Sequence, residues 1–309
     1  MQDSILCSDL QGFPVDDRPL PPRAGAGLKP AHVADILANR PAIGFFEVHA
    51  ENYMGAGGMP HAQLHAIREL YPSAFMVWAC RLAARRKSTG SIFPDSRQWW
   101  TSTSQPWFPE HLAWSTHDDV FFNDLLPLPY TDETLDRVVR HVDIVQNALG
   151  RQILIENPST YVIFEQSEWE ETQFMAEIAR RSGCGLLFDV NNVFVSSTNN
   201  GTSPSDYIAT YPLELVREIH LAGHSVDSDD YGNPLLIDAH DRAVADEVWA
   251  LYAMVLKRAG ALPTLIEWDN EVPLWAELEA ETMRAEGFLA ACPRPGSPAW
   301  AGHGQLVTS

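Results

Sequence analysis

Leu186-Leu187-Phe188-Asp189-Val190-Asn191-Asn192 is a short apolar run that ends in a carboxylate and then in two carboxamides. The design recurs at Ile153-Leu154-Ile155-Glu156-Asn157, at Val216-Arg217-Glu218-Ile219-His220 and at Thr264-Leu265-Ile266-Glu267. Runs of this length and composition read as buried strands. Each delivers a metal-competent side chain at its C-terminal end.

Between these runs lie helical patterns. Leu135, Val138, Val139, Val142 and Val145 follow the helical period, behind a capping Thr131 and before a terminating Gly150. Further helices are expected near His32–Asn39, Ala62–Leu70, Glu168–Arg181, Ser205–Thr210, Arg242–Arg258 and Leu274–Ala290. Strand centres fall near 26, 46, 111, 154, 187, 218 and 266. Alternating strands and helices with short connections predict parallel βα units. Eight such units over roughly 270 residues make a TIM-like (β/α)8 barrel, whose chemistry sits at the C-terminal ends of the strands. The eighth strand has no clear place, and the gap falls in residues 76–109. The expected organisation is an N-terminal arm (1–22), a barrel domain (23–291) and a disordered tail (292–309).

Composition narrows the function classes. The chain has 309 residues, 45% hydrophobic content and a formal charge of −20. That charge argues against nucleic-acid and anionic-membrane partners, which call for basic patches. No run of about 18 apolar residues occurs, so no transmembrane helix is expected. The four cysteines, Cys7, Cys80, Cys184 and Cys292, form no C-x-x-C pair, and no signal peptide is evident; both point to a cytoplasmic protein.

The rim candidates are His111, Glu156, Asp189, Asn192, His220, Asp238, His240 and Glu267. Singly, a strand-end carboxylate is ordinarily a helix cap and a lone histidine a hydrogen-bonding group. Together on one rim they point to a shared metal site. Imidazole and carboxylate without thiolate suit Fe, Mn or Zn better than Ca or Mg. Eight donors exceed the needs of one ion, so two or three ions are expected. Glu47, His49, Glu51, Asn52, His224 and Asp269 are candidates for groups behind the ligands or facing substrate, with structural hydrogen bonding the alternative. Metal-dependent isomerases and phosphodiesterase-like barrels gather the same residue types, and so does a non-catalytic or inactive metal- or peptide-binding barrel.

At these residues the chain resembles the multinuclear non-heme iron-dependent oxidases, also known as domain of unknown function 692 or uncharacterised protein family 0276. The resemblance runs from Gly25-Ala26-Gly27-Leu28-Lys29-Pro30 to Glu267-Trp268-Asp269. It includes Glu47-Val48-His49-Ala50-Glu51-Asn52, Glu110-His111-Leu112-Ala113-Trp114-Ser115, Glu156-Asn157-Pro158, Asp189-Val190-Asn191-Asn192, His220-Leu221-Ala222-Gly223-His224 and Asp238-Ala239-His240-Asp241. It implies a TIM-like barrel with two or three Fe ions, held by the eight rim candidates. It also implies an O2-dependent oxidase that modifies cysteines of a ribosomally made, Cys-containing precursor peptide, assisted by a leader-recognition partner protein. Some members form copper-binding heterocycles in this way.

One stretch departs from the pattern. The family has a His-Gly-Val-Gly-Leu-Ser-like strand upstream of the His111 position, and its His is an iron ligand. Here the chain reads Phe75-Met76-Val77-Trp78-Ala79-Cys80-Arg81. Read from the third base of the Phe75 codon, the triplets encode His or Tyr, Gly, Leu/Met/Val, Gly and Leu/Met/Val. Residues 76 to about 109 therefore read as a frameshift. The stretch holds Trp78, Trp99, Trp100 and Trp107, four of the chain's ten tryptophans, and sets five basic residues against Asp95 alone.

Overall fold

The computed structural model describes residues 20–53, 57–76, 107–117 and 120–292. The expected arm and tail fall almost wholly outside the described residues, as do residues 77–106 of the anomalous stretch. Eight parallel strands form one sheet: β1 (Ala24–Gly27), β2 (Phe46–His49), β3 (Ser73–Met76), β4 (Trp107–His111), β7 (Gln152–Glu156), β8 (Gly185–Asp189), β9 (Val216–Ala222) and β12 (Thr264–Glu267). Their order is β3-β2-β1-β12-β9-β8-β7-β4, and the two end strands lie against each other, so the barrel is nearly closed. The strand that sequence reasoning could not place is β3. It overlaps the anomalous stretch only at Met76, where the family-like text breaks off.

Alternation along each strand sorts the side chains between two layers. Leu186 and Phe188, Ile153 and Ile155, Ile219 and Leu221, and Ile266 join the main apolar core under the helices. The residues between them, including Glu156, Asp189, Glu218, His220 and Glu267, belong to the opposite face, inside the barrel. The bottom of that interior is filled by Phe45, Ala74, Leu265 and Leu20. Gly25 is required there, because a Cβ would come within 2.7 Å of the Phe45 ring.

The outer helices are α1 (Val33–Asn39), α2 (Met59–Arg68), α3 (Asp132–Leu149), α4 (Glu171–Ser182), α5 (Val190–Asn200), α6 (Pro204–Thr210), α7 (Asp246–Ala259) and α8 (Trp275–Ala290). Thr131 caps α3 by accepting from the Thr134 amide, and Gly150 ends it at φ 66°, as the sequence predicts. Arg242–Val244, expected as the first turn of α7, remain outside it.

Three elements differ from expectation. The stretch after Asp189, rich in Asn and β-branched residues, reads as a loop, yet it folds as α5. Its intrinsic propensity is low, but Asp189 caps it, Gly201 closes it at φ 65°, and Val190, Val193 and Val195 are buried. The polar stretch after His220 contains an antiparallel ribbon, β10 (Ser225–Ser228) with β11 (Pro234–Ile237). Asn123–Pro129, whose two prolines read as a rigid connection, is partly strand: β5 (Trp114–His117) pairs with β6 (Val120–Leu126).

Candidate metal centre

Asp189 lies at the centre of the site because its two carboxylate oxygens have different tasks. Oδ1 accepts from the Asn192 amide at 2.7 Å and caps α5. Oδ2 is buried and has no hydrogen-bond partner among the described residues. Asn157, directly after β7, grips the Asp189 backbone from both sides: its Nδ2 donates to the Asp189 carbonyl (2.9 Å) and its Oδ1 accepts from the Asp189 amide (2.8 Å). The Asn192 Nδ2 donates to the Asn157 carbonyl at 3.0 Å, which leaves Asn192 Oδ1 buried without a hydrogen-bond partner.

The neighbouring strands bring up the rest. Asp189 stands opposite His220 in the β8–β9 register. His220 is fully buried; its Nδ1 lies 3.4 Å from Glu267 Oε2 and 3.9 Å from Glu156 Oε1, and its Nε2 lies 3.9 Å from Glu47 Oε2. Ligand-type atoms of Glu156, Asp189, His220 and Glu267 all fall within 4.8 Å of one another. His111 at the end of β4 reaches Glu156 at 3.2 Å. His240 Nε2 is 2.9 Å from Asp238 Oδ1, and its Nδ1 is 3.5 Å from both Glu267 and Asp269.

These side chains form the floor of a cavity of about 320 Å3. His49, His111, Glu156, Asn192, Asp238, His240, Glu267 and Asp269 line it, and Asp189 and His220 lie fully buried in the cluster with Glu156 and Glu267. All eight rim candidates are thus in one place. The remaining wall includes Leu125, Leu126 and Pro127 from the end of β6, and Tyr161 from the loop after β7.

The electrostatics follow from crowding buried acids. Burial, reinforced by Asp238, pushes the Asp189 carboxyl up to about 7. Burial raises Glu156 and Glu47 well above the carboxylate range, although His220 opposes it. Burial works against a charged His220, but Glu267, Glu47 and Glu156 outweigh it and hold the imidazole well above its ordinary value. Glu267 pays the burial penalty too, yet His220 and His240 bring it down to about 2. Burial lowers His111 to about 4. Several buried carboxylates cannot all ionise here without added positive charge. The donor set, the unpartnered Asp189 and Asn192 oxygens and the His220 nitrogens, which face only carboxylates at 3.4 Å or more, therefore fit metal cations, and their number fits more than one.

The layer behind the cavity is also built. Asn191 Nδ2 donates to Asp238 (2.7 Å), and Asn191 Oδ1 meets His224 Nδ1 (2.8 Å), so His224 stands behind the site. Lys29 forms an ion pair with Asp269. Asn52 is exposed in the turn Ala50–Tyr53 and does not line the cavity; the Glu51 side chain lies outside the described residues. His240 has a left-handed backbone, φ 49°. Its amide donates to the Gly223 carbonyl (2.9 Å), and its own carbonyl accepts from Asp269 and Asn270 (2.8 and 3.0 Å). Gly223 makes this crossing feasible, since an added Cβ would lie 2.1 Å from the Arg242 carbonyl oxygen.

Sequence reasoning missed Glu218. It is fully buried and groups with Glu47 and His220. The signal was present, because residues two apart on a strand share a face and His220 already pointed inward.

A parallel (β/α)8 barrel with a carboxylate–imidazole cluster at its C-terminal rim defines a TIM-barrel protein with a candidate metal site. A family model described as "RiPP precursor modification enzyme MbnB/TglH/ChrH" matches residues 23–290, and the chain belongs to that family. This is the family its motifs resemble, and its members modify ribosomally made peptides. Among similar proteins, a UPF0276 protein of Rhizobium meliloti is 47% identical over 90% of this chain and 89% of its own length. Another, from Paraburkholderia phytofirmans, is 48% identical over 86% and 87%. Two solved barrels share the fold. One is a xylose isomerase-like TIM barrel protein from Mycobacterium smegmatis in complex with magnesium (11% identity, TM-score 0.54, 87% of this chain and 95% of that one). The other is a xylose isomerase domain protein from Alicyclobacillus acidocaldarius (15%, TM-score 0.51, 87% and 98%). Among the described residues no helix is long and apolar enough to cross a membrane.

Proposed function

We propose that the chain is a multinuclear non-heme iron oxidase that uses O2 to modify cysteines of a ribosomally made precursor peptide, which a leader-recognition partner protein helps to deliver. The observation that carries this reading is the buried cluster of Glu156, Asp189, His220 and Glu267 at the floor of an open cavity. His111, Asn192, Asp238 and His240 add to the donor set for two or three Fe ions. Bound iron would supply Lewis acidity and one-electron exchange with O2 and thiolate. The chain's own residues orient that chemistry: Asn157 fixes Asp189, Asn191 fixes Asp238, and Lys29 fixes Asp269. The apolar wall at Leu125–Pro127 sheds water from the substrate side chain.

Anaerobic iron reconstitution followed by Mössbauer spectroscopy tests the metal, and O2 consumption with a Cys-containing precursor peptide tests the reaction. Iron sites that couple to peptide-dependent O2 uptake are expected. Zinc-only occupancy would refute the oxidase.

The frameshift reading of residues 76 to about 109 belongs with this proposal. Met76 is buried at the C-terminal end of β3, in register with His49, where the shifted frame supplies a His or Tyr codon. As written, the ring is one imidazole short and iron loading is incomplete. Resequencing codons 70–112 with peptide mapping decides the matter: a single unbroken frame with full peptide coverage would overturn the reading.

A further inference from the structure

Seven of the twelve large hydrophobic side chains exposed on the described surface fall on just three connections of the barrel, all at the rim that holds the cavity. Val162 and Ile163 (70% exposed), next to Tyr161, lie in the loop after β7. Val226 (67%) and Tyr231 (91%) lie on the β10–β11 ribbon. Val272 and Leu274 (82%) lie between β12 and α8. A solvated surface has no reason to gather them at one end.

The three connections are joined. The Tyr161 hydroxyl accepts from the Asp238 amide (2.8 Å), which ties the first loop to the foot of the ribbon. Asn270 Nδ2 donates to the Ala239 carbonyl (2.7 Å), which ties the third to the same foot. Tyr161, Asp238, Ala239 and Asn270 also line the cavity, so the apolar surface is continuous with its mouth.

Charge indicates the occupant. The same connections expose Glu165, Asp227, Asp230 and Glu271. They contain no lysine, and their one arginine, Arg242, is held by Asp241. We infer that this rim is a docking surface for an extended peptide segment rich in Lys/Arg and aliphatic residues, flanking the residue that enters the cavity. The inference rests on the peptide-modifying reading above and specifies the chemistry of its substrate. Aliphatic side chains cover Ile163, Tyr231 and Leu274, and the cations meet the acidic edge.

The test uses the full chain and fluorescent synthetic peptides, read by anisotropy, with metal content measured in parallel. One peptide carries lysines and leucines spaced by glycine and serine; a second has glutamate for lysine; a third has serine for leucine. The first is expected to bind, to weaken as ionic strength rises, and to bind at least about tenfold more tightly than either control. The combined variant Ile163→Ser, Tyr231→Ser, Leu274→Ser should lose about tenfold in affinity with unchanged melting temperature and metal content. Equal binding of all three peptides, no binding of any, or wild-type affinity in the folded variant would overturn the docking surface. None of these outcomes depends on iron or O2 uptake. Peptide binding by a chain that fails the oxidase tests would leave the surface standing and remove the oxidase alone.

Discussion

The barrel has a continuous arc and a seam, and they treat the site differently. Along the arc β7-β8-β9-β12 every strand pairs with the next, and each carries a cluster residue at or near its C-terminal end: Glu156, Asp189, His220, Glu267. At the seam β3 and β4 lie side by side, but among the described residues no ladder joins them. Their lumen-facing ends are Met76 and His111. The four arc donors are therefore held by ladder hydrogen bonds and by the Asn157 clamp, and the seam contributes least to holding them.

Breaking the arc should have the largest effect. Asp189→Ala removes the central carboxylate and the α5 cap together. Metal content by elemental analysis should collapse, and stability should fall by about 1 kcal/mol from the lost cap alone. Retained stoichiometric metal would show that Asp189 is only a cap. Asn157→Ala leaves every donor in place and loosens their support, so metal affinity should fall roughly 10- to 100-fold. Chelator competition measures this, and an unchanged affinity would mean that the clamp is structural alone.

The seam offers the converse. Met76→His adds an imidazole beside His49 and near His111, and metal bound per chain should rise without a loss of thermal stability. If the stoichiometry stays the same, the seam lies outside the site.

The smallest effect expected is on pH dependence. Asp189 titrates near 7 when folded, against 3.8 unperturbed. Between those values the native chain keeps a proton that the unfolded chain has lost, so stability declines as pH rises. His220 and His240, held above 6.5 by their carboxylate neighbours despite burial, act in the same direction above that pH. His111, lowered to about 4 by burial, acts in the opposite direction, but only between 4 and 6.5. The metal-free chain should therefore lose melting temperature as pH rises above 6.5, and metal loading should flatten the slope. A flat metal-free profile would mean that the acids are not crowded as described.

Much of this was legible in the sequence because strand ends are local. Apolar runs closing on Glu156, Asp189, His220 and Glu267 announce both the parallel sheet and its rim, and Thr131 and Gly150 mark their helix without help from tertiary contacts. The remainder depends on partners far along the chain. Helix α5 has poor intrinsic propensity and exists because its first residue is capped and its valines are buried. The β10–β11 ribbon is ordered from a distance, with Leu236 pinned by Asn199 through two hydrogen bonds of 2.9 Å. Leu125–Pro127 read as a connection because nothing in their own composition says that they face a cavity.

The tight crossing at Gly223 separates two kinds of change. Asp238 and His240 are fastened at the foot of the ribbon by Gly223, Tyr161 and Asn191, whereas Tyr231 at the tip does not line the cavity. Insertions, deletions or new side chains at the tip would alter what the protein grips without moving a single donor atom. The fold can therefore diversify its clientele while its chemistry stays fixed.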